Sequence, residues 1–134
     1  MINVSNKFAL RKRILIVEDN IMHSDLLKII IQSYFDADIV ISENGMDALD
    51  KINGGHIFDL IIIDIMLPKI NGLDVLKTTR KVYDKVPILM LSAISDRETI
   101  DESFAGGATD YVAKPIRKGI LRDKIKILLE EGMP

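Results

Sequence analysis

Short aliphatic runs, each followed at once by a polar residue, recur along this chain and limit what it can fold into. The first is ILIV at residues 14–17, before Glu18 and Asp19, and the second is LIII at residues 60–63, before Asp64. Runs of this length without alternation are typical of strands buried on both faces, as in a parallel sheet covered by helices. We therefore expect a buried parallel sheet with polar residues at the ends of its strands.

Helical patterns separate the predicted strands, and the two kinds of segment alternate five times. In the first helix, the residues that recur at helical spacing are Met22, Leu26, Ile29, Ile30 and Phe35. Strands are predicted at residues 14–17, 38–42, 60–63, 88–91 and 110–113, and helices over 22–35, 44–52, from 71, from 95 and over 121–129. Parallel strands need crossover connections, which are right-handed, so this order predicts an α/β fold with an open, doubly wound, five-stranded parallel sheet.

The helix starts carry their own signals. Asn20, Asn44 and Asn71 are placed to cap the first three helices, because an asparagine side chain accepts a hydrogen bond from the first turn. Ser95 with Glu98 has the spacing of a capping box for the fourth helix.

Composition excludes several classes of protein. The 134 residues suffice for one domain, and a net charge of −2 with interspersed signs does not indicate a surface that binds nucleic acid or membranes. The absence of cysteine excludes disulfides and thiol chemistry. No apolar run approaches the roughly 18 residues of a spanning helix, and we expect a cytoplasmic protein.

Five polar residues are predicted at the carboxyl ends of the strands: Glu18, Asp19, Asp64, Ser92 and Lys114. In doubly wound sheets, ligands bind beyond these ends. Three carboxylates gathered there would repel one another unless they shared a cation, and an all-oxygen set without histidine or cysteine suits Mg²⁺. The sequence therefore predicts a magnesium site.

The same residues are suited to phosphoryl transfer. Asp64 could accept a phosphoryl group, while Lys114 neutralises its oxygens and Ser92 donates a hydrogen bond to one of them. Taken singly, each residue has a structural interpretation, as a loop acid, an exposed lysine or a turn serine. Their joint occurrence at successive strand ends favours a common site.

Four motifs make the chain similar to a known family: ILIVEDN, IIIDIMLPKINGLD, MLSA and DYVAKP. Over residues 12–130 the chain resembles a response-regulator receiver domain, CheY-like, of two-component signalling. The resemblance implies the flavodoxin/CheY-like strand order 2-1-3-4-5. We expect a receiver domain over residues 12–131 with an N-terminal extension at residues 1–11.

The resemblance also assigns roles at the strand ends. It implies that Asp64 is the phosphoacceptor, that Asp19 and the Met66 backbone carbonyl bind Mg²⁺ directly, and that Glu18 acts through water. Ser92 corresponds to the hydroxyl that senses the phosphoryl group.

Further implied features concern the last strand. Lys114 corresponds to the family's lysine, with a cis bond to Pro115, and Tyr111 to its rotating aromatic switch residue.

The resemblance also implies partners. The implied donor is a histidine kinase or a histidine phosphotransfer protein, and the implied downstream partner is a protein on the face formed by the fourth helix, last strand and last helix. The chain would catalyse only its own phosphorylation and dephosphorylation. In the family, the residues two beyond the phosphoacceptor and two beyond the hydroxyl influence how an attacking water is placed. Here they are Met66 and Ile94, which are apolar and cannot orient water, so the resemblance implies slow self-dephosphorylation.

Other interpretations remain open. The chain could be a pseudo-receiver that binds partners without phosphorylation. A haloacid-dehalogenase phosphatase would need a second acid where Met66 stands, and a flavodoxin-like binder would need a phosphate loop where the chain reads EDNIMHS. We expect His23 and His56 at exposed helix and loop positions, where His23 could border the site. The chain is either a complete single-domain receiver or part of a longer protein.

Overall fold

The structure is a computed structural model that describes residues 11–94 and 96–131. Strands and helices alternate along these residues as the sequence predicts. The elements are β1 (Lys12–Val17), α1 (Ile21–Tyr34), β2 (Ala37–Ser42), α2 (Gly45–Asn53), β3 (Leu60–Asp64), α3 (Gly72–Val82), β4 (Ile88–Ser92), α4 (Arg97–Ala105), β5 (Asp110–Ala113) and α5 (Lys118–Glu131). The predicted extension at residues 1–11 lies, except for Arg11, outside the described residues.

The five strands form one parallel sheet in the order β2-β1-β3-β4-β5. This confirms both the predicted fold class and the strand order that the resemblance implies. The chain moves from β1 outward to β2 and then returns to the other side of β1 to form β3. The carboxyl ends of β1 and β3 therefore flank the point where the strand order reverses, which is where such sheets bind ligands.

Helices cover both faces of the sheet and explain the continuous aliphatic runs. β3 and β4 are buried at every position. On one face, Ile14 and Ile62 pack in a core with α1 and α5. On the other face, Leu15 and Ile63 pack in a second core with α2 and α3. A strand between two such layers needs apolar side chains on both sides.

The asparagine caps are confirmed. The side chains of Asn20, Asn44 and Asn71 each accept a hydrogen bond from a backbone N–H in the first turn of α1, α2 and α3.

The predicted start of α4 is wrong. Its N-cap is Asp96, whose Oδ1 accepts a hydrogen bond from the Thr99 N–H at 2.7 Å. An aspartate at this position caps as well as a serine does. Ser95, the predicted cap, lies outside the described residues.

The helical spacing in α1 correctly predicts a helix, but three of the five residues that indicate it face solvent. Met22, Leu26 and Ile29 are 80%, 44% and 67% exposed. Ile30 of the same pattern is buried on the side of α1 that packs on the sheet, together with Leu27 and Ile31, and Phe35 at the end of the helix is partly buried against that core.

Candidate functional site

Three charged side chains from distant parts of the chain meet beyond the carboxyl end of the sheet. Glu18 follows β1, Asp64 ends β3 and Lys114 follows β5. The Lys114 Nζ lies 2.9 Å from Glu18 Oε1 and 2.8 Å from Asp64 Oδ2. The side chains of Glu18, Asp64 and Lys114 are only 1%, 5% and 15% exposed. Lys114 also precedes the cis peptide bond to Pro115 that the resemblance implies.

Asp19 completes an acidic cluster at this point. One carboxylate oxygen from each of Glu18, Asp19 and Asp64 lies within 4.8 Å of the others. Glu18 and Asp64 are buried, whereas Asp19 is exposed and opens the cluster to solvent. Three carboxylates against the single ammonium of Lys114 leave a surplus of negative charge. Hard oxygen donors with such a surplus fit a divalent cation such as Mg²⁺.

In both Glu18 and Lys114, burial and hydrogen bonding have opposite effects on the pKa. Burial raises the pKa of Glu18, and hydrogen bonds from Lys114 and the Asn20 N–H offset only part of this effect. Burial also acts to lower the pKa of Lys114, but its hydrogen bonds to Asp64 and Glu18 outweigh it, so this pKa is raised. Lys114 therefore remains a fixed positive charge at neutral pH.

The loop after β3 holds the Asp64 carboxylate in place. The Met66 N–H donates to Asp64 Oδ1 at 3.0 Å, so each carboxylate oxygen has one hydrogen-bond donor. The loop closes where the Gly72 N–H donates to the Ile65 carbonyl at 2.9 Å. A Cβ atom on Gly72 would lie 2.2 Å from the Asp64 carbonyl oxygen, so only glycine permits this close approach.

Ser92 and Tyr111 are joined through one residue of the loop after β4. The Ile94 N–H donates to the buried Ser92 Oγ at 3.0 Å. The Tyr111 hydroxyl donates to the Ile94 carbonyl. Burial raises the pKa of Tyr111, so its hydroxyl remains a donor at neutral pH. The two predicted switch residues thus bond to the two sides of the same residue.

His23 lies closer to these groups than the sequence alone indicates. Its Nδ1 is 3.2 Å from the Lys114 Nζ and 3.7 Å from Glu18 Oε1, and its side chain is 48% exposed. The only sequence signal was its place in the first turn of α1, after Asn20. His56 lies elsewhere, near Arg13 and stacked on Phe58.

The surface beside Lys114 carries a groove. A cavity of about 460 Å³ is lined by His23, Leu26, Ala93, Lys114, Pro115 and Ile116. A groove of about 560 Å³ at the opposite end of the sheet, beside Lys12 and Phe35, includes none of the predicted site residues. Within the described residues, no helix has the length and apolar character needed to cross a membrane.

Comparison with known proteins agrees with this geometry. The family model for the response regulator receiver domain matches residues 14–126. The cell cycle transcriptional regulator CtrA of Caulobacter vibrioides is 36% identical over 110 residues, which cover 79% of this chain and 45% of CtrA. The CpxR homolog of Haemophilus influenzae is 35% identical over 122 residues, which cover 90% of this chain and 51% of that protein.

A solved receiver domain has the same fold. The CheY-like receiver domain protein from Methanospirillum hungatei superimposes with a TM-score of 0.84 at 30% identity, covering 90% of this chain and 95% of that one. The curated relatives are longer proteins. This chain spans 26% of the length of ZraR from Klebsiella oxytoca and 51% of the length of the CpxR homolog. The match over residues 14–126, the strand order and the acidic cluster agree, and the chain belongs to the response regulator receiver domains of two-component systems.

Proposed function

We propose that this chain accepts a phosphoryl group on Asp64 and thereby changes its affinity for a partner protein. The observation that carries the proposal is the buried Asp64 carboxylate, 2.8 Å from the Lys114 ammonium and grouped with two further acids. Receiver domains interact with histidine kinases and downstream effectors, so the proposed donor is a histidine kinase or a histidine phosphotransfer protein. The proposed receiver unit is residues 12–131, with residues 1–11 as an extension.

The proposed transfer forms one bond and breaks one. A carboxylate oxygen of Asp64 attacks phosphorus in line as the bond from phosphorus to the donor nitrogen breaks, and that nitrogen keeps the electron pair. Lys114 faces the negative charge on the transferred oxygens, and Ser92 donates a hydrogen bond to one of them. The positions of these side chains suit them to phosphoryl transfer, because catalysis of this step consists mainly of positioning and charge stabilisation.

Receiver domains bind Mg²⁺ at an acidic pocket, and the oxygen cluster of this chain fits that ion. Glu18, Asp19, Asp64 and the Met66 carbonyl are the proposed holders, with Glu18 acting through water. When bound, the ion supplies positive charge beside the phosphoryl oxygens. Asp19 is the exposed member through which the cluster is accessible from solvent.

The proposed switch runs through the loop that bonds to both Ser92 and Tyr111. If the Ser92 hydroxyl turns to a phosphoryl oxygen, its contact with the Ile94 N–H changes, and Tyr111 on the Ile94 carbonyl responds. The adjoining helix α4 buries only Ser103 among its residues, so it has few packed contacts to resist a shift. The α4–β5–α5 face is therefore the proposed surface for the downstream partner.

Intact mass after incubation with acetyl phosphate tests the phosphoacceptor. We expect a gain of one phosphoryl group in the wild type with Mg²⁺, little gain without Mg²⁺, and none in Asp64→Asn. Asp101→Asn is the matched control, because Asp101 is an exposed aspartate on α4 and should leave the gain intact. No gain in the wild type would favour the pseudo-receiver instead.

The switch is tested by amide chemical shifts with and without acetyl phosphate. We expect phosphorylation to shift amides of α4, β5 and α5 in the wild type and to shift them far less in Tyr111→Phe, which lacks the hydroxyl bonded to Ile94. Tyr34→Phe, at the end of α1, should respond like the wild type. An unchanged response of Tyr111→Phe and Tyr111→Ala would refute the coupling.

A further inference from the structure

The Lys114 ammonium has three acceptors, and one of them is not acidic. Its three N–H groups face Asp64 Oδ2 at 2.8 Å, Glu18 Oε1 at 2.9 Å and His23 Nδ1 at 3.2 Å. Ammonium carries three donors and no acceptor, so these partners account for its full hydrogen-bonding capacity. Asp64 and Glu18 are carboxylates, whereas His23 is the only one of the three partners that does not carry a negative charge.

The distances indicate which way the histidine bond runs. The gap of 3.7 Å between His23 Nδ1 and Glu18 Oε1 is too long for a hydrogen bond, whereas 3.2 Å to Lys114 Nζ is within range. Lysine can only donate, so Nδ1 must accept through its lone pair, which requires the neutral tautomer with hydrogen on Nε2. The His23 backbone is fixed as well, because its N–H donates to the Asn20 cap at 3.1 Å.

We propose that His23 is a positioning residue, which holds the Lys114 ammonium in the site by accepting its third N–H. This inference rests on the proposed function. Phosphorylation converts Asp64 into an acyl phosphate, and Glu18 is shared with the acidic cluster. His23 is the one acceptor of Lys114 that takes no part in the proposed transfer, so it keeps the ammonium oriented while the other partners change.

Two substitutions separate the acceptor from the size of the side chain. In His23→Asn, Oδ1 stands two bonds from Cβ, as Nδ1 does, and can accept the same hydrogen bond. His23→Leu fills similar space but cannot accept. We expect His23→Leu to be phosphorylated by acetyl phosphate about three- to tenfold more slowly, and His23→Asn to recover a rate within about twofold of the wild type. The Mg²⁺ Kd should change less than about twofold in both, because neither alters the carboxylates.

His56→Leu is the matched control, since the second histidine lies near Arg13 and Phe58 and not beside Lys114. Its rate should equal that of the wild type. Equal rates for His23→Leu and the wild type would overturn the proposal, as would a His23→Asn variant as slow as His23→Leu.

Imidazole ¹⁵N chemical shifts test the contact without any phosphorylation. At pH 8 we expect His23 as the Nε2–H tautomer, with an Nδ1 shift that changes in Lys114→Met. A protonated Nδ1, or an Nδ1 shift unaffected by Lys114→Met, would overturn the proposal even if the protein is phosphorylated. Conversely, failure of the wild type to gain a phosphoryl group would refute the proposed function, and the positioning role with it, while the ¹⁵N shifts still report the contact.

Discussion

Two partly buried cations at opposite ends of the sheet have partners of opposite character. Lys114, at the carboxyl end, meets the carboxylates of Glu18 and Asp64. Arg80, on α3, reaches the loops that lead into β4 and β5. There its hydrogen bonds go to neutral oxygens. The carboxylates raise the pKa of Lys114 despite burial, whereas burial lowers the pKa of Arg80.

Arg80 ties separate segments together. Its Nε donates to the Gly107 carbonyl at 2.8 Å, and its Nη1 donates to the carbonyls of Val86 at 2.6 Å and Tyr83 at 3.2 Å. Nη2 lies 3.3 Å from the Thr109 hydroxyl. These acceptors all lie in loops that have no role in the proposed chemistry.

The difference separates a cation that stabilises the fold from one that serves a site. Neutral oxygens accept from four of the five N–H groups of Arg80, and in the described part of the chain the charged group that affects its pKa is Asp84. The acids around Lys114 outnumber it, so that end of the sheet retains unneutralised charge. Buried charge of this kind lowers stability and is typical of functional sites.

The largest effect is expected for Lys114→Met. Without the ammonium, charge developing on the phosphoryl oxygens loses its protein counter-charge, and we expect phosphorylation by acetyl phosphate to slow by about 100-fold or more. Quenched-flow mass spectrometry measures the rate, and circular dichroism verifies that the variant is folded.

Lys124→Met is the control for Lys114→Met. Lys124 also pairs with an aspartate, Asp110, at 2.9 Å, but far from the acidic cluster. It should be phosphorylated at the wild-type rate. Similar losses in both variants would mean that Lys114 has no special part in the site.

Arg80→Met is expected to reverse this pattern. Loss of the guanidinium leaves several loop carbonyls without a donor, and we expect the free energy of unfolding to fall by about 2–3 kcal/mol. Urea denaturation measures the change, while the phosphorylation rate of the folded variant should be unaltered. Arg97→Met, which breaks an exposed pair with Asp101, should change stability by less than about 0.5 kcal/mol. A slower phosphorylation in Arg80→Met would contradict the view that Arg80 stabilises the fold and has no part in the site.

A smaller effect concerns the lifetime of the phosphorylated state. Met66 and Ile94 line one cavity of about 530 Å³ together with Asp19, and neither side chain can orient an attacking water. We expect slow loss of phosphate from the wild type, and a loss at least about threefold faster in Met66→Asn or Ile94→Glu. Ile127→Glu, an exposed position on α5, is the control. Unchanged lifetimes in both site variants would contradict this interpretation.

The smallest effect is the pH dependence contributed by Glu18. Burial raises the pKa of its carboxyl in the folded state, so the unfolded chain loses this proton at a lower pH. Folding stability from this group therefore falls as pH rises from the unfolded pKa through the raised folded one. Glu18→Gln lacks this loss, so without Mg²⁺ we expect its stability relative to wild type to increase between acidic and neutral pH. A relative stability that falls with pH, measured by urea denaturation, would show that hydrogen bonding to Lys114 outweighs burial.

The sequence predicts the elements well because their signals are local. Aliphatic runs predict buried strands such as β3, and asparagine caps predict the starts of α1, α2 and α3. The predicted start of α4 is wrong because aspartate and serine are both good caps, and local sequence does not rank Asp96 above Ser95.

The face of each helix that packs on the sheet was less predictable. Met22, Leu26 and Ile29 fit the period of α1, yet they are exposed, while Ile30 of the same pattern is buried beside Leu27 and Ile31. Period alone cannot decide between two apolar stripes on one helix, because the choice depends on how the helix docks.

By itself, the sequence determined the alternation of five strands and five helices, the acids after β1 and β3, and the residue types suited to phosphoryl transfer. The strand order came from resemblance rather than from periodicity. Only the tertiary structure decided that Lys114 contacts Glu18, 96 residues away, that His23 is its third partner, and that Arg80 joins the loops at the other end. Such contacts depend on the crossovers between parallel strands, which bring the strand ends together whatever their separation along the chain.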